Sequence, residues 1–400
     1  MAEKKIVPFR FTEKENVIEL KRLETITYPY EWCFGQLRDA ACLTLELAER
    51  SLDCGMILQD ATAFNVAFEN VSPVFLDHGS FCLYRPGEAW KAYRQFVMHF
   101  LAPLLLMKYT DFRCLNFFRT SVEGFPLDFA SRLLPWKTFL KLHPLIHIHL
   151  HARMEKKYSA AAPPPKTPVT GEKQLRAFLG ELRNFVSHLS PGGKKTRWAD
   201  YATDNSYTPK AMAFKKEMID RICLQRKFPV VVDLGANTGI FSEIAAKYSR
   251  RVIAADSDPA ALEQLYETAK AEKRNILPVL QDLNDPSPGI GMFNQERSSF
   301  FSRVRGDLVM GLALIHHLHI SGNWPVESIV KLFADMTGQA AVVEFVPRED
   351  PQVKKLLRSR EDIFEDWTLE NVTAAFRKRF RTCREIPIPD SPRVLLELYL

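Results

Sequence analysis

Glycine is sparse in this chain, at 17 of 400 residues. The Gly-bearing turn at 235–239, which closes an apolar strand, lacks the Gly-x-Gly-x-x-Gly spacing that holds a pyrophosphate on a helix N-terminus. It also lacks Gly-Lys-Ser/Thr, which excludes a phosphate-cradling P-loop. Cysteine is equally uninformative as a framework: Cys33, Cys42, Cys54, Cys82, Cys114, Cys223 and Cys383 are odd in number and form no CxxC pair. Structural thiols in a reducing cytoplasm fit that scatter better than disulfides or zinc ligands do. The longest apolar stretch, residues 96–107, is broken by His99 and Pro103 and is too short to span a bilayer. Charges occupy the N-terminus where a signal peptide needs an apolar core, so a cytoplasmic location without membrane contact is expected. A net charge of +6 permits an anionic partner without demanding one. No internal repeat is visible.

What the chain does have is a strand–turn–helix passage, Val230-Val231-Val232-Asp233-Leu234-Gly235-Ala236-Asn237-Thr238-Gly239, opening into a helix over 241–247. Its glycines let the backbone approach a ligand that a Cβ would exclude. Asn237 stands where a third glycine often sits, and Asn tolerates the left-handed conformation. This Asp-x-Gly-x-x-x-Gly turn resembles motif I of the class I S-adenosylmethionine-dependent methyltransferases. Later stations agree in order. Residues 251–255 read as a second strand ending on Asp256, an acid placed to accept both ribose hydroxyls of a nucleoside. Asp258 reads as the cap of a helix begun by Pro259. A third strand, 275–280, leads to Asp282, which the resemblance sets on the adenine amine with Leu283 beside it. Fourth and fifth strands follow at 306–312 and 340–346. A strand–turn–strand over 383–400 matches the reversed hairpin that closes this family's sheet.

The resemblance covers roughly 197–400. It implies S-adenosyl-L-methionine as cofactor, held by Asp233, Gly235, Asn237, Gly239, Asp256, Asp282 and Leu283. Methyl transfer from a sulfonium needs near-attack geometry, and a base only where the acceptor must lose a proton. His316 and His317, past the fourth strand, are the candidate catalytic residues. Glu344 is a further candidate for binding the acceptor, and Trp198, Tyr201 and Tyr207 for lining the methionine or acceptor end.

With 46% apolar residues the chain can bury two cores. The Ala/Pro-rich stretch around Pro163-Pro164-Pro165 reads as a linker. The expected division is 1–158, linker 159–171, then a methyltransferase domain over 172–400. The first part is mostly helical, with a periodic helix over 37–54. Asp60, then Asn65, two short strands and Asp77-His78-Gly79 together resemble the catalytic and metal loops of kinase-like phosphotransferases. In that resemblance Asp60 orients an acceptor hydroxyl while Asn65 and Asp77 hold magnesium. The Gly-rich loop and the nucleotide-clamping Lys are missing, which implies a degenerate lobe resembling a kinase C-lobe. The pairing of such a lobe with a methyltransferase domain resembles a bacterial family sometimes described as NoeA-related, within whose N-terminal region the chain is expected to begin.

Three other features carry blander readings. His143, His147, His149 and His151 lie close together, but no acid or Cys stands nearby, so an interfacial helix is expected and no metal site is assigned. Lys354-Lys355 and Arg377-Lys378-Arg379-Phe380-Arg381 read as solvated helix faces rather than phosphate contacts. The acidic run Glu361-Asp362-Phe364-Glu365-Asp366-Trp367 reads equally as a border of the acceptor site or a surface turn. The expected function is therefore methyl transfer to a small-molecule or carbohydrate-like acceptor. An RNA or protein acceptor, and a cofactor-binding scaffold protein, are the alternatives.

Overall fold

The computed structural model describes residues 5–158, 171–192, 207–358 and 361–400. Trp198 and Tyr201 lie outside these residues, as does the Pro-rich stretch. The chain divides into two compact units, Met1–Lys194 and Lys195–Leu400.

Among its described residues the first unit carries six short strands paired as three ribbons. β1 (Phe9–Phe11) pairs with β2 (Ile18–Leu20), β3 (Met56–Leu58) with β6 (Phe81–Leu83), and β4 (Val66–Glu69) with β5 (Ser72–Phe75), all antiparallel. Its helices are α1 (Phe34–Ser51), α2 (Tyr93–Phe96), α3 (Ala102–Tyr109), α4 (Leu127–Leu133), α5 (Leu142–Pro144), α6 (His151–Tyr158) and α7 (Glu172–Ser187). The helix of α1 starts where Gln36 Oε1 accepts the Cys33 N–H at 3.0 Å. A π-helical turn, Val97–Leu101, joins α2 to α3. Pro103 follows it, and a proline removes a backbone donor and crowds the preceding turn, which a wider turn relieves. A second π turn, Leu145–Leu150, links α5 to α6, so 127–150 is a series of short helical turns rather than one continuous helix.

The boundary expected before Glu172 lies after α7 instead. Leu175, Leu179, Leu182 and Val186 repeat at helical spacing and are buried against α1. The Arg176 guanidinium adds an ion pair to Asp53 at 2.8 Å.

The second unit is built on a seven-stranded mixed sheet. Its strands are β7 (Val230–Leu234), β8 (Arg251–Asp256), β9 (Ile276–Leu280), β10 (Gly306–Gly311), β11 (Thr337–Phe345), β12 (Thr382–Pro387) and β13 (Val394–Tyr399). Their order is β9-β8-β7-β10-β11-β13-β12. The first five run parallel, and β13 alone is reversed, antiparallel to both β11 and β12. This is a Rossmann-like sheet closed by a reversed hairpin, the strand order that the resemblance implies. The inner strands are almost wholly apolar because a parallel sheet is covered on both faces. The chain winds outward through β7, β8 and β9, then returns to the other side of β7 as β10. That reversal leaves a crevice at the carboxyl ends of β7 and β10.

The helices α8 (Pro209–Arg226), α9 (Ile240–Ala246), α10 (Pro259–Ala271), α11 (Phe300–Arg303), α12 (Val326–Met336), α13 (Pro351–Leu357) and α14 (Leu369–Arg377) complete the unit. Four of these helices begin at side-chain caps from Thr208, Asp258, Asp350 and Thr368. Among the described residues no helix is long and apolar enough to cross a membrane.

Candidate cofactor and acceptor site

A cleft of about 340 Å³ opens at the carboxyl ends of β7, β8, β9 and β10. Gly235, Asn237, Asp256, Asp282, Leu283 and His317 line it, together with Ser257, Gln281, Ala313, Leu314 and Ser321. Six of the nine residues proposed from the sequence for cofactor binding and catalysis thus meet at one place. Asp233, Gly239 and His316 do not line the cleft.

The turn after β7 holds its shape through backbone strain that its residues tolerate. Gly235 (φ 74°), Asn237 (φ 50°) and Gly239 (φ 85°) all take left-handed conformations. Asn237 steadies its own by accepting the Thr238 N–H on Oδ1 at 2.8 Å. A Cβ at Gly239 would stand 2.3 Å from Leu265 Cδ1, so this glycine serves the packing of the turn against α10. Gly235 faces the cleft itself.

Asp256 closes the far side of the turn. Its Oδ2 accepts the Asn237 N–H at 2.7 Å and its Oδ1 accepts the Asp258 N–H at 2.8 Å. Burial outweighs these bonds and pushes its carboxyl up to about 6. Asp258 caps α10, accepting the N–H groups of Ala260 and Ala261 at 2.8 and 3.2 Å. Asp282 is exposed at the cleft mouth, where its Oδ1 accepts the Asn284 N–H at 2.8 Å. Leu283 is buried beside it.

Asp233 lies beneath the turn. Its Oδ2 accepts the Ser242 hydroxyl at 2.6 Å. Burial, partly opposed by that bond, pushes its carboxyl up to about 7. The folded value exceeds the unfolded one, so the proton it takes up on folding stabilises the unit in acid. That contribution is lost as pH rises through about 7. Asp233→Asn keeps the shape and removes the titration. Melting temperature measured between pH 4 and pH 8 should therefore fall less steeply in the variant, by the equivalent of about 3 kcal/mol across that range. An identical slope in both proteins would contradict this.

The histidines separate in role. His317 opens a π turn, His317–Ser321, that pushes His317, Leu318 and Ser321 into the cleft. Burial, with a contribution from Arg393, lowers its imidazole to about 4. His316 is fully buried behind it, with ring centroids 4.2 Å apart, and neither of its ring nitrogens has a hydrogen-bond partner among the described residues. Ala313, also on the cleft wall, holds φ at 53°, a strained conformation for alanine.

Behind the histidines lies a buried charge network, of which only Glu344 and Tyr207 are expected from the sequence. Lys215 Nζ donates to Glu344 Oε2 at 2.5 Å and to the Tyr207 hydroxyl at 2.8 Å. The Tyr207 hydroxyl donates in turn to Glu344 Oε1. Arg393 reaches Glu344 at 3.4 Å and binds Asp350 through two nitrogens at 2.8 and 3.2 Å. Lys215, Glu344, Arg393 and Asp350 are at most 2% exposed. Burial alone would raise the Glu344 carboxyl, but Lys215 and Arg393 hold it below the usual range. Lys215 had a signal in the sequence: it interrupts the apolar stripe of α8 formed by Ala211, Met218, Ile219 and Ile222. Arg393 had none.

The basic run at 377–381 is partly neutralised, with Arg377 paired to Glu385 at 2.9 Å and Arg379 to Asp335 at 3.6 Å.

No family model matches the chain. It is 35% identical over 385 residues to the nodulation protein NoeA of Rhizobium meliloti (strain 1021), covering 95% of this chain and 81% of that protein. Among solved structures, it is similar to the N-methyltransferase NodS from Bradyrhizobium japonicum WM9 at 12% identity and a TM-score of 0.34, over 48% of this chain and 97% of that one. Magnesium protoporphyrin IX methyltransferase (ChlM) from Synechocystis PCC 6803 is similar at 13% identity and a TM-score of 0.34, over 51% of this chain and 92% of that one.

Proposed function

The chain belongs to the family of the nodulation protein NoeA, and we propose that it is an S-adenosylmethionine-dependent methyltransferase acting on a small-molecule or carbohydrate-like acceptor. The observation that carries this reading is the position of Asp256. An acid at the end of the second strand stands on the wall of a cleft at the reversal point of a β9-β8-β7-β10-β11-β13-β12 sheet.

The residues present fit the cofactor. Each oxygen of Asp256 accepts one backbone N–H and keeps a second lone pair for a ribose hydroxyl. Asp282 would accept from the adenine amine, and Leu283 would cover an adenine face. Gly235 leaves the backbone bare where the ligand approaches. S-adenosylmethionine bound there supplies a methyl group on a sulfonium leaving group.

The chain's own contribution is to orient the nucleophile and exclude water. His317 is neutral at physiological pH, so its imidazole accepts a hydrogen bond from an acceptor hydroxyl and aims that oxygen. A value near 4 makes it a weak proton sink, which leaves orientation as its larger contribution. The Tyr207–Lys215–Glu344–Arg393 network stiffens the wall behind the histidines. The test is a methyl-labelled cofactor incubated with cell extract separated into RNA, protein and metabolites. Label is expected in the metabolite fraction and absent with Asp256→Ala; label confined to RNA or protein would sink the small-acceptor reading.

For the first unit, a degenerate kinase-like lobe acting as a scaffold is the proposal. Its candidate residues are committed to local bonds. Asp60 accepts the Thr62 N–H at 3.1 Å, and Asn65 and Asp77 both bind the Ser80 hydroxyl, at 3.0 and 2.6 Å.

A further inference from the structure

We propose that His143, His147 and Glu181 form a zinc site in the N-terminal unit. Among the described residues they are the group of histidine, cysteine and acidic side chains that comes together with metal-ligand spacing, each offering one donor atom within 4.8 Å of the others. The acid of the group, Glu181, comes from 34 residues beyond His147, on α7, while the nearer Glu155 pairs with His151 at 3.7 Å.

The arrangement follows from the helices. His143 and His147 are four residues apart, which stacks them on one helix face, and their rings lie nearly parallel with centroids 5.7 Å apart. On α7, Phe178, Glu181 and Phe185 repeat at three and four residues and face the histidines. Phe185 stacks on the His143 ring at 3.7 Å, and Phe178 packs against both Tyr93 and His147. Glu181 Oε1 stands 3.3 Å from His143 Nε2. Two donors at about 2.0 Å from zinc, separated by a tetrahedral angle, lie about 3.3 Å apart. The spacing is therefore already that of two ligands of one ion.

The outer contacts suit a metal as well. The Tyr93 hydroxyl lies 2.7 Å from His147 Nδ1. With the Nδ1–H donating to that oxygen, Nε2 keeps its lone pair for a metal, and the hydrogen bond fixes the ring as the second contact of a ligating imidazole does. Two imidazoles and one carboxylate form a borderline donor set that matches zinc, with a fourth position for water. Glu181 is 54% exposed, which leaves solvent access to that position. The ion would clamp α7 to the α5–α6 segment from which the chain departs before residue 159. Three protein ligands and an open fourth position make this an exchangeable site that would still fasten α7 (Glu172–Ser187) to the histidine-bearing segment.

The test uses the full chain, stripped with a chelator and titrated with Zn²⁺ by calorimetry. One equivalent is expected, with a Kd in the range of about 1 μM or tighter, and with a melting temperature raised by about 5 °C. Glu181→Gln and His143→Ala should each weaken the affinity by about tenfold or more. The exposed His188→Ala control should not change it. Glu181→Gln changes one surface side chain and folds normally, which circular dichroism verifies. Absence of zinc uptake by the parent at about 100 μM, or undiminished uptake by Glu181→Gln, would overturn the proposal.

Discussion

Glu344→Ala is expected to destabilise the second unit by about 3–5 kcal/mol, the largest stability effect of any single change considered. Glu344 is fully buried between Lys215 and Arg393, and it also accepts the Tyr207 hydroxyl. Among the described residues, removing it leaves the Lys215 ammonium with the Tyr207 oxygen, two ring faces, those of Tyr207 and Phe241, each 4.6 Å away, and the charge of Asp233 without a hydrogen bond to it. Arg393 retains Asp350, so the orphaned charge is chiefly that of Lys215. A buried ammonium without a counter-charge either takes in water or sheds its proton, and both cost free energy. For a unit of this size the loss corresponds to a fall in melting temperature of about 10 °C or more. Thermal unfolding followed by circular dichroism reads it. Lys215→Met in the same background should recover a large part of the loss, because the double variant buries no unpaired charge. A Glu344→Ala variant that melts with the parent would show that the network is solvated.

Asp256→Ala is expected to weaken S-adenosylmethionine binding by about 100-fold, the equivalent of about 2.7 kcal/mol. Two charge-assisted hydrogen bonds to ribose hydroxyls would be lost, and the Asn237 and Asp258 N–H groups would lose their acceptor. The same carboxylate predicts a pH dependence with a defined sign. Asp256 must be ionised to accept both hydroxyls, and burial raises its value to about 6. Binding is therefore full above about pH 7 and weakens as pH falls through 6. The fall should be absent from Asp256→Asn, whose affinity is low throughout. A parent whose affinity is flat between pH 5 and pH 8 would contradict the assignment.

The parts legible from sequence were those carried by local patterns. Val230-Val231-Val232 before Asp233 and Gly235 marks a buried parallel strand and its turn, and β7 forms there. The apolar strands β8, β9, β10 and β11 read the same way because helices cover both faces of the sheet. The placement of Asp256 and Asp282 on the cleft wall was legible because the ends of such strands have fixed positions relative to the crevice.

What escaped was set by contacts between distant segments. Glu181 and His143 are joined only when α7 folds back on the first unit, and that same packing moved the domain boundary. Lys215 and Arg393 meet Glu344 from 129 and 49 residues away. Asp233 matched the motif, but its strand position turned it under the turn toward Ser242. His316 and His317 are adjacent in sequence, and only the π turn decides which of them reaches the cleft.

The most direct test of the central claim, that the cleft between Asp256, Asp282 and His317 holds S-adenosylmethionine, is calorimetric titration of the full chain with that cofactor at pH 7.5. One site per chain is expected, displaced by S-adenosylhomocysteine and lost in Asp256→Ala. Absence of binding by the folded parent, or equal binding by Asp256→Ala, would contradict it.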